Sequence, residues 1–350
     1  MGAWLEREWQ RLGGVALVFL PLALVMAVAV AIRRFAYRVR ILPAWRARVP
    51  VIVVGNITVG GTGKTPLTLA ILEILERRGF NPGVVSRGYG RVPRGMNDPM
   101  GVVRVYPDVA TPEHFGDEAV MIARRSRVPV YVSPDRPAAA RALLEAHPEV
   151  DVLVSDDGLQ HYALARDIEI AVVDGERRFG NGLLLPSGPL REPISRLASV
   201  DAVVVNGEAS EKIPGPRRFP MRIGHDELVA LATPRRMSPQ EFAFMARGRD
   251  TVALAGVAHP DRFFDHLAQL GIATRNIAFP DHHAFQPAEL RLPGAELVVM
   301  TEKDAVKCAA YADSRMWFVR VDAIVAPELE DFLVARLQSL ARSPDGPQAA

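Results

Sequence analysis

Two kinds of apolar run divide this chain. One is a single uncharged stretch from Leu12 to Ile32, LGGVALVFLPLALVMAVAVAI, long enough to cross a bilayer or to lie deep in one leaflet. The others are short, rich in β-branched residues and bounded by Gly, Pro or polar clusters, at 51–54, 83–86, 102–106, 128–132, 150–155, 168–173 and 202–205. Between them lie stretches with apolar residues at helical spacing, 66–78, 119–125 and 136–146. Short buried strands alternating with amphipathic helices predict an open, mostly parallel α/β sheet that binds its ligand at the strand C-terminal ends. Prolines break the pattern around Ile213 to Phe219. A second series then follows, with strands at 251–257, 277–279, 297–300 and 317–321 and helices at 260–270 and 328–340. The expected organisation is a membrane-associating segment (1–48), a core lobe (49–215), a second, smaller α/β lobe (216–342) and a polar, disordered tail (343–350).

The long apolar run is followed by Arg33, Arg34, Arg38, Arg40, Arg46 and Arg48 and flanked by Trp4, Trp9, Tyr37 and Trp45. The arginine-rich side stays in the cytoplasm under the positive-inside rule, which places everything after it there. Ala27-Val28-Ala29 resembles a signal cleavage site. The charge follows the run instead of only preceding it, however, which argues against that reading. Pro21 and Gly13-Gly14 leave spanning, re-entrant and interfacial insertion open.

Charge changes this picture little. The net charge is +2 over 350 residues, which argues against a general nucleic-acid binder. The one cysteine, Cys308, excludes a disulfide framework and a Cys-based metal site.

Chemistry enters at Val51 to Thr65, VIVVGNITVGGTGKT. A buried strand passes through glycines into Gly63-Lys64-Thr65 and then a helix, the context in which a phosphate-loop pattern carries a mechanism. Gly60, Gly61 and Gly63 can take positive φ, so backbone N–H groups along Thr58, Val59, Gly60, Gly61, Thr62 and Gly63 can face phosphate oxygens. Lys64 would reach the β/γ-phosphates and the Thr65 hydroxyl would ligate Mg²⁺, so ATP and Mg²⁺ are the expected cofactors. Thr58 stands where the generic pattern has its first glycine. Asp156-Asp157-Gly158 ends a strand beside this loop, where a carboxylate can hold the metal. Asp117-Glu118 lies just before a helical stretch, and by pattern alone reads first as an N-terminal cap and first-turn charge. Asp281-His282-His283 offers a carboxylate beside a histidine, a plausible base unit.

Seven blocks in order then resemble one family: 56–66 around the loop, Ser86-Arg87-Gly88-Tyr89-Gly90, Gly116-Asp117-Glu118, 155–161 (SDDGLQH), Gly188-Pro189-Leu190-Arg191-Glu192, Phe279-Pro280-Asp281-His282 and Thr301-Glu302-Lys303-Asp304. They look like the tetraacyldisaccharide 4′-kinase family of lipid A synthesis, whose loop also accommodates Thr58. The resemblance implies a P-loop NTPase-like fold with two lobes that close over the nucleotide. It implies transfer of the γ-phosphate of ATP to the 4′-hydroxyl of an acylated glucosamine disaccharide 1-phosphate at the cytoplasmic face of the inner membrane. Its base is an Asp–His pair, which falls on Asp117 and His282. Lys64 is expected at the phosphates, Thr65 with Asp156 or Asp157 at the metal, and Glu192 on the nucleotide side. Tyr89, Glu118, Gln160, His161 and Arg191 are expected near the substrate. The expected partners are that lipid and membrane lipids, with no nucleic acid, the chain acting as a monomer. The competing class is a membrane-associated ATPase switch of the partitioning type, which carries a lysine where this chain has Val59.

Overall fold

The computed structural model describes residues 8–92, 101–207 and 213–342. Trp4, the irregular stretch after Val92 and the expected disordered tail lie outside the described residues.

The first lobe is a parallel sheet built on β1 (Val51–Gly55), which runs between β5 (Val152–Asp156) and β6 (Ile168–Asp174). Every residue of β1 and β5 is buried, as expected of strands covered on both faces. Outward from β5 come β2 (Pro82–Ser86), β4 (Val130–Val132) and the antiparallel edge strand β3 (Val103–Val105). Beyond β6 lies β7 (Ala202–Asn206). The second lobe contributes β10 (Thr251–Ala255), β11 (Arg275–Ala278), β12 (Leu297–Thr301) and β13 (Met316–Val325). Apolar side chains from both faces of this sheet form the cores, with Leu67, Ile71 and Leu75 of the helix Lys64–Arg77 covering one side of β1.

The boundary expected near residue 215 is not a break in the sheet. A 13-residue strand, β8 (Arg218–Ala230), pairs in parallel with β7 at one end and antiparallel with β13 over its length, so one continuous sheet serves both lobes. No strand is legible there because Pro220, Gly224 and the polar run Asp226-Glu227 interrupt the alternation, and the ladder carries an irregularity opposite Arg320 to Asp322. A hairpin partner, β9 (Arg236–Met237), and the helix Pro239–Ala246, capped by a Ser238/Glu241 box, also had no clear periodic signal. The closing helix, Pro327–Arg342, does not stay with the second lobe. Leu329, Leu333 and Leu337 enter the core of the first lobe, and Glu330 accepts from Arg77 and Arg78.

The N-terminal apolar run forms one uninterrupted helix, Gly14–Arg38, with Pro21 inside it. Its most apolar window has mean hydropathy 2.9 and is 11% buried, a length and composition sufficient to cross a membrane. Small residues, Ala16 and Ala23, face the protein, while Val18 and Val25 point away from it. The segment is tied down at both ends. Trp9 is buried and donates to the Pro186 carbonyl (2.9 Å), and the Tyr37 ring lies 5.7 Å from Tyr162.

Candidate active site

β1 delivers the chain at Gly55 into the turn that enters the helix Lys64–Arg77. Side-chain amides brace the turn from both sides: Asn56 donates to the Thr62 hydroxyl (3.2 Å) and Asn206, at the end of β7, to the Thr62 carbonyl (3.3 Å). Gly63 sits at φ +94°, and a Cβ there would come within 2.9 Å of Met221 and 3.0 Å of Asn206. Conformation and space therefore both require glycine at this point. The start of the loop is strapped to the segment 183–191. Thr58 bridges to Leu190, the Val59 amide donates to the Pro189 carbonyl (2.8 Å), and the Arg191 amide donates to the Ile57 carbonyl (2.7 Å). The Val59 amide is thus engaged by the protein's own backbone.

Two adjacent carboxylates below the loop are in opposite electrostatic states. Asp157, at φ +47°, lies 3.8 Å from Lys64 Nζ and accepts from Arg191 (3.1 and 3.2 Å). Burial alone would raise its pKa, but Lys64 and Arg191 outweigh burial and hold it below the usual carboxylate range. Asp156 is fully buried at the end of β5. Its Oδ1 accepts from Thr68 (3.0 Å), while Oδ2 has no partner. Burial, then Glu118 and Asp157, push it up to about 7. An orphaned buried carboxylate oxygen near a phosphate loop, with the Thr65 hydroxyl in the first helical turn, is a hard-oxygen donor set that suits Mg²⁺. Among the described residues there is no group of three metal-ligating side chains.

The other half of the site is assembled from both lobes. Gly116, at φ +86°, turns the chain so that Asp117 opens the helix Asp117–Ser126; a Cβ at Gly116 would sit 2.7 Å from the Tyr89 carbonyl. Asp117 is buried. Its Oδ1 accepts from the Glu118 amide (3.0 Å), so the first-turn reading holds for one oxygen, while Oδ2 lies 2.9 Å from His282 Nδ1. His282 comes from the second lobe and is held at φ +60°, an uncommon conformation for a residue with a side chain. Tyr89 packs its ring 4.8 Å from the imidazole.

Lys303 had no role in the sequence reading beyond lying in a matching block. Its Nζ lies 3.3 Å from Asp281, 3.6 Å from Glu118, 3.8 Å from Asp117 and 3.3 Å from His282 Nε2. Burial works against its charge, yet Glu118, Asp117 and Asp281 raise its pKa above the usual lysine value. Burial would raise Asp117 in turn, but the His282 hydrogen bond and the Lys303 charge bring it below its usual value. Asp117 is therefore an anion at neutral pH. Lys303 is positioned by the helix Glu302–Cys308, whose Asp304 accepts from Thr301 (2.7 Å) and from the Gly256 amide (2.9 Å).

Between this cluster and the N-terminal helix lies a cavity of about 360 Å³. Tyr89, Glu118, Gln160, His161 and Arg191, expected near the substrate, all line it, with Asp157 and Glu192. Met26 and Val30 of the apolar helix form one wall, and Arg33, Arg34 and Arg87 add positive charge. Glu192 is buried and accepts from Gln160 (2.9 Å) and Tyr162; Gln160 also donates to the Asn56 carbonyl (3.0 Å), linking the cavity wall to the phosphate loop. Burial, with Arg136 and Arg87 nearby, pushes His161 down to about 3, so it is neutral.

Comparison with known proteins points in one direction. The LpxK family pattern, described as tetraacyldisaccharide-1-P 4′-kinase, matches residues 15–338. Among curated proteins, a tetraacyldisaccharide 4′-kinase of Methylobacillus flagellatus is 43% identical over 338 residues, covering 96% of this chain and 96% of its own. A protein of the same name from Aeromonas salmonicida is 47% identical over 342 residues, covering 96% and 97%. A crystal structure of LpxK from Aquifex aeolicus in complex with ATP superposes with a TM-score of 0.75 at 26% identity, covering 92% of this chain and 99% of that one.

Proposed function

The chain belongs to the tetraacyldisaccharide-1-P 4′-kinase family, and from that premise we propose how its residues divide the work. It is an ATP-dependent kinase of lipid A biosynthesis that phosphorylates the 4′-hydroxyl of a tetraacylated disaccharide 1-phosphate. The observation that carries the mechanism is the meeting of Asp117 and His282 across the lobes at 2.9 Å, with the neighbouring Glu118 lining a cavity that also reaches Asp157, the partner of Lys64.

Phosphoryl transfer asks a protein chiefly to position groups and to neutralise charge. Lys64 and the loop amides hold the phosphates, and Lys64 exchanges its contact with Asp157 for the γ-phosphate. Arg191 keeps Asp157 ionised and in place. Mg²⁺, when bound, would be held by Asp156 and Thr65 and would neutralise charge on the phosphoryl oxygens. The acceptor sugar lies in the cavity, with its hydroxyl at the Asp117–His282 pair. Asp117 orients the imidazole and stabilises it as the pair accepts the hydroxyl proton. Arg33, Arg34 and Arg87 meet the acceptor's phosphate, while Met26 and Val30 meet its acyl chains. Because one partner of the pair belongs to each lobe, closure completes the site.

The enzyme is placed at the cytoplasmic face of the inner membrane, inserted through the helix Gly14–Arg38 and acting as a monomer. The exposed apolar side of that helix and the arginines after it support this placement. Purified protein in detergent should move phosphate from ATP to the 4′ position of tetraacyldisaccharide 1-phosphate. Release of phosphate to water alone would overturn the reading in favour of an ATPase switch. Val18→Glu with Val25→Glu should shift the protein from the vesicle-bound to the soluble fraction, and unchanged partitioning would mean that other surfaces provide attachment.

A further inference from the structure

The lobes also meet beside the phosphate loop at Asp174 and Arg177. Asp174 ends β6, next to β1, and is buried. It accepts from the Glu176 amide (3.1 Å), the Arg177 amide (3.0 Å) and Arg177 Nε (2.9 Å), all in its own lobe. From the second lobe, Arg262 on the helix Pro260–Gln269 donates to the same carboxylate at 2.6 Å and to Glu176 at 2.5 Å. Arg177 then extends the contact in two directions. One terminal nitrogen donates to the carbonyl of Gly61 inside the phosphate loop, and the other meets Nε2 of His259, the residue before that second-lobe helix. A Cβ added at Gly60 would lie 3.4 Å from both Arg177 and His259. Burial, with Arg177 and Arg262, pushes His259 down to about 4, so at neutral pH its ring nitrogen accepts from the guanidinium.

We propose that Asp174, Arg177, His259 and Arg262 form an inter-lobe joint that fixes the second lobe against the phosphate loop and so brings His282 to Asp117. They are positioning residues for transfer, with Arg262 the member that ties the lobes without touching the loop. The first-lobe residue Arg125 also reaches Glu302 and Asp322 of the second lobe. Loosening the Arg262 contact is therefore expected to broaden the placement of the second lobe rather than to release it. A shift of about 1 Å in a reacting group can cost as much as a hundredfold in rate. The catalytic part of this proposal rests on the Asp117–His282 reading, whereas its structural part does not.

The test is to measure the lobe separation directly. E73C and Q269C place spin labels on exposed helical sites of the first and second lobes, and the native Cys308 is buried and stays unlabelled. Without R262Q the labels should give one narrow separation, and with R262Q a broader one. R262Q should also lower kcat by about ten- to a hundredfold while KM for ATP stays within about twofold, and it should subtract nothing further in an H282A background. An unchanged separation in R262Q overturns the joint whatever H282A does. An equal loss of transfer with and without His282 overturns its role in assembling the pair. Full activity of H282A alone would remove the base assignment and leave the distance result to decide the joint.

Discussion

Between Asn56 and Thr65, the donor half of the site is one run of backbone closed by neighbouring contacts; the acceptor half draws Asp117 and His282 from positions 165 apart. The first relies on amides, a helix N-terminus and glycines with positive φ, all supplied by the first lobe. The second relies on charges that only the assembled lobes bring together: Asp117 and Glu118 on one side, His282 and Lys303 on the other. Under the roles proposed above, such an enzyme would hold ATP without a competent base and complete its chemistry only with the second lobe in place. Nucleotide bound before closure would then meet no assembled base able to activate water.

The largest expected effect falls on the half that the first lobe supplies. Lys64→Ala should lower kcat/KM for transfer by about 10³- to 10⁵-fold, the range carried by a cation at a transferring phosphoryl group. Steady-state kinetics check this, and a loss under tenfold would break the division drawn here. Next come Asp117→Ala and His282→Ala, each expected to lower kcat by about 10²- to 10⁴-fold with nucleotide binding retained. Because the two act as one unit, the double variant should be no slower than the slower single. Multiplying losses would mean that the two residues serve separate steps.

The contrast also explains what the sequence made legible. The phosphate loop is contiguous, so its strand, glycines, lysine and helix could be read from fifteen consecutive residues. Asp117 and His282 could each be seen only as a plausible local group, and their pairing came from resemblance to a family. Lys303 stayed without a role because a lysine in a helical turn carries no signal until three carboxylates from other segments surround it. Strand β8 stayed hidden for a related reason. Its first four residues pair with β7 of the first lobe and the rest with β13, across an irregularity in the ladder, so no single alternation runs through its 13 residues. Local patterning exposes what neighbours in sequence build, and cross-lobe charge clusters leave almost no such pattern.

Lys303 gives a smaller and more specific test of the acceptor half. Its charge helps to hold Asp117 below the ordinary value against a burial effect that works the other way. Lys303→Met removes a positive charge that faces both members of the Asp117–His282 pair, so the pair should take up a proton more readily. The acid limb of the pH–rate profile should then move upward by about one pH unit, the size expected for losing a nearby opposite charge. An unmoved limb, with only a lower plateau, would make Lys303 a packing residue of the closed state instead of an electrostatic partner of the base.

The smallest effect concerns stability and returns to the donor half. Asp156 is pushed from its ordinary 3.8 up to about 7, first by burial and then by Glu118 and Asp157. A carboxyl whose folded pKa is raised binds more protons folded than unfolded, so stability falls as pH rises between the two values. For Asp156 the window runs from about 4 to about 7, with the full penalty above it. Asp156→Asn keeps the shape and removes the charge. The Tm of the metal-free variant should match that of the parent near pH 4, exceed it by an increasing margin up to pH 7, and hold a constant margin of a few degrees above that. Added Mg²⁺ should narrow the margin by raising the parent alone, because a cation gives the unpartnered Oδ2 the charge it lacks. A margin independent of pH would mean that Asp156 is ionised at no such cost, and the assignment of this carboxylate to the metal would lose its physical basis.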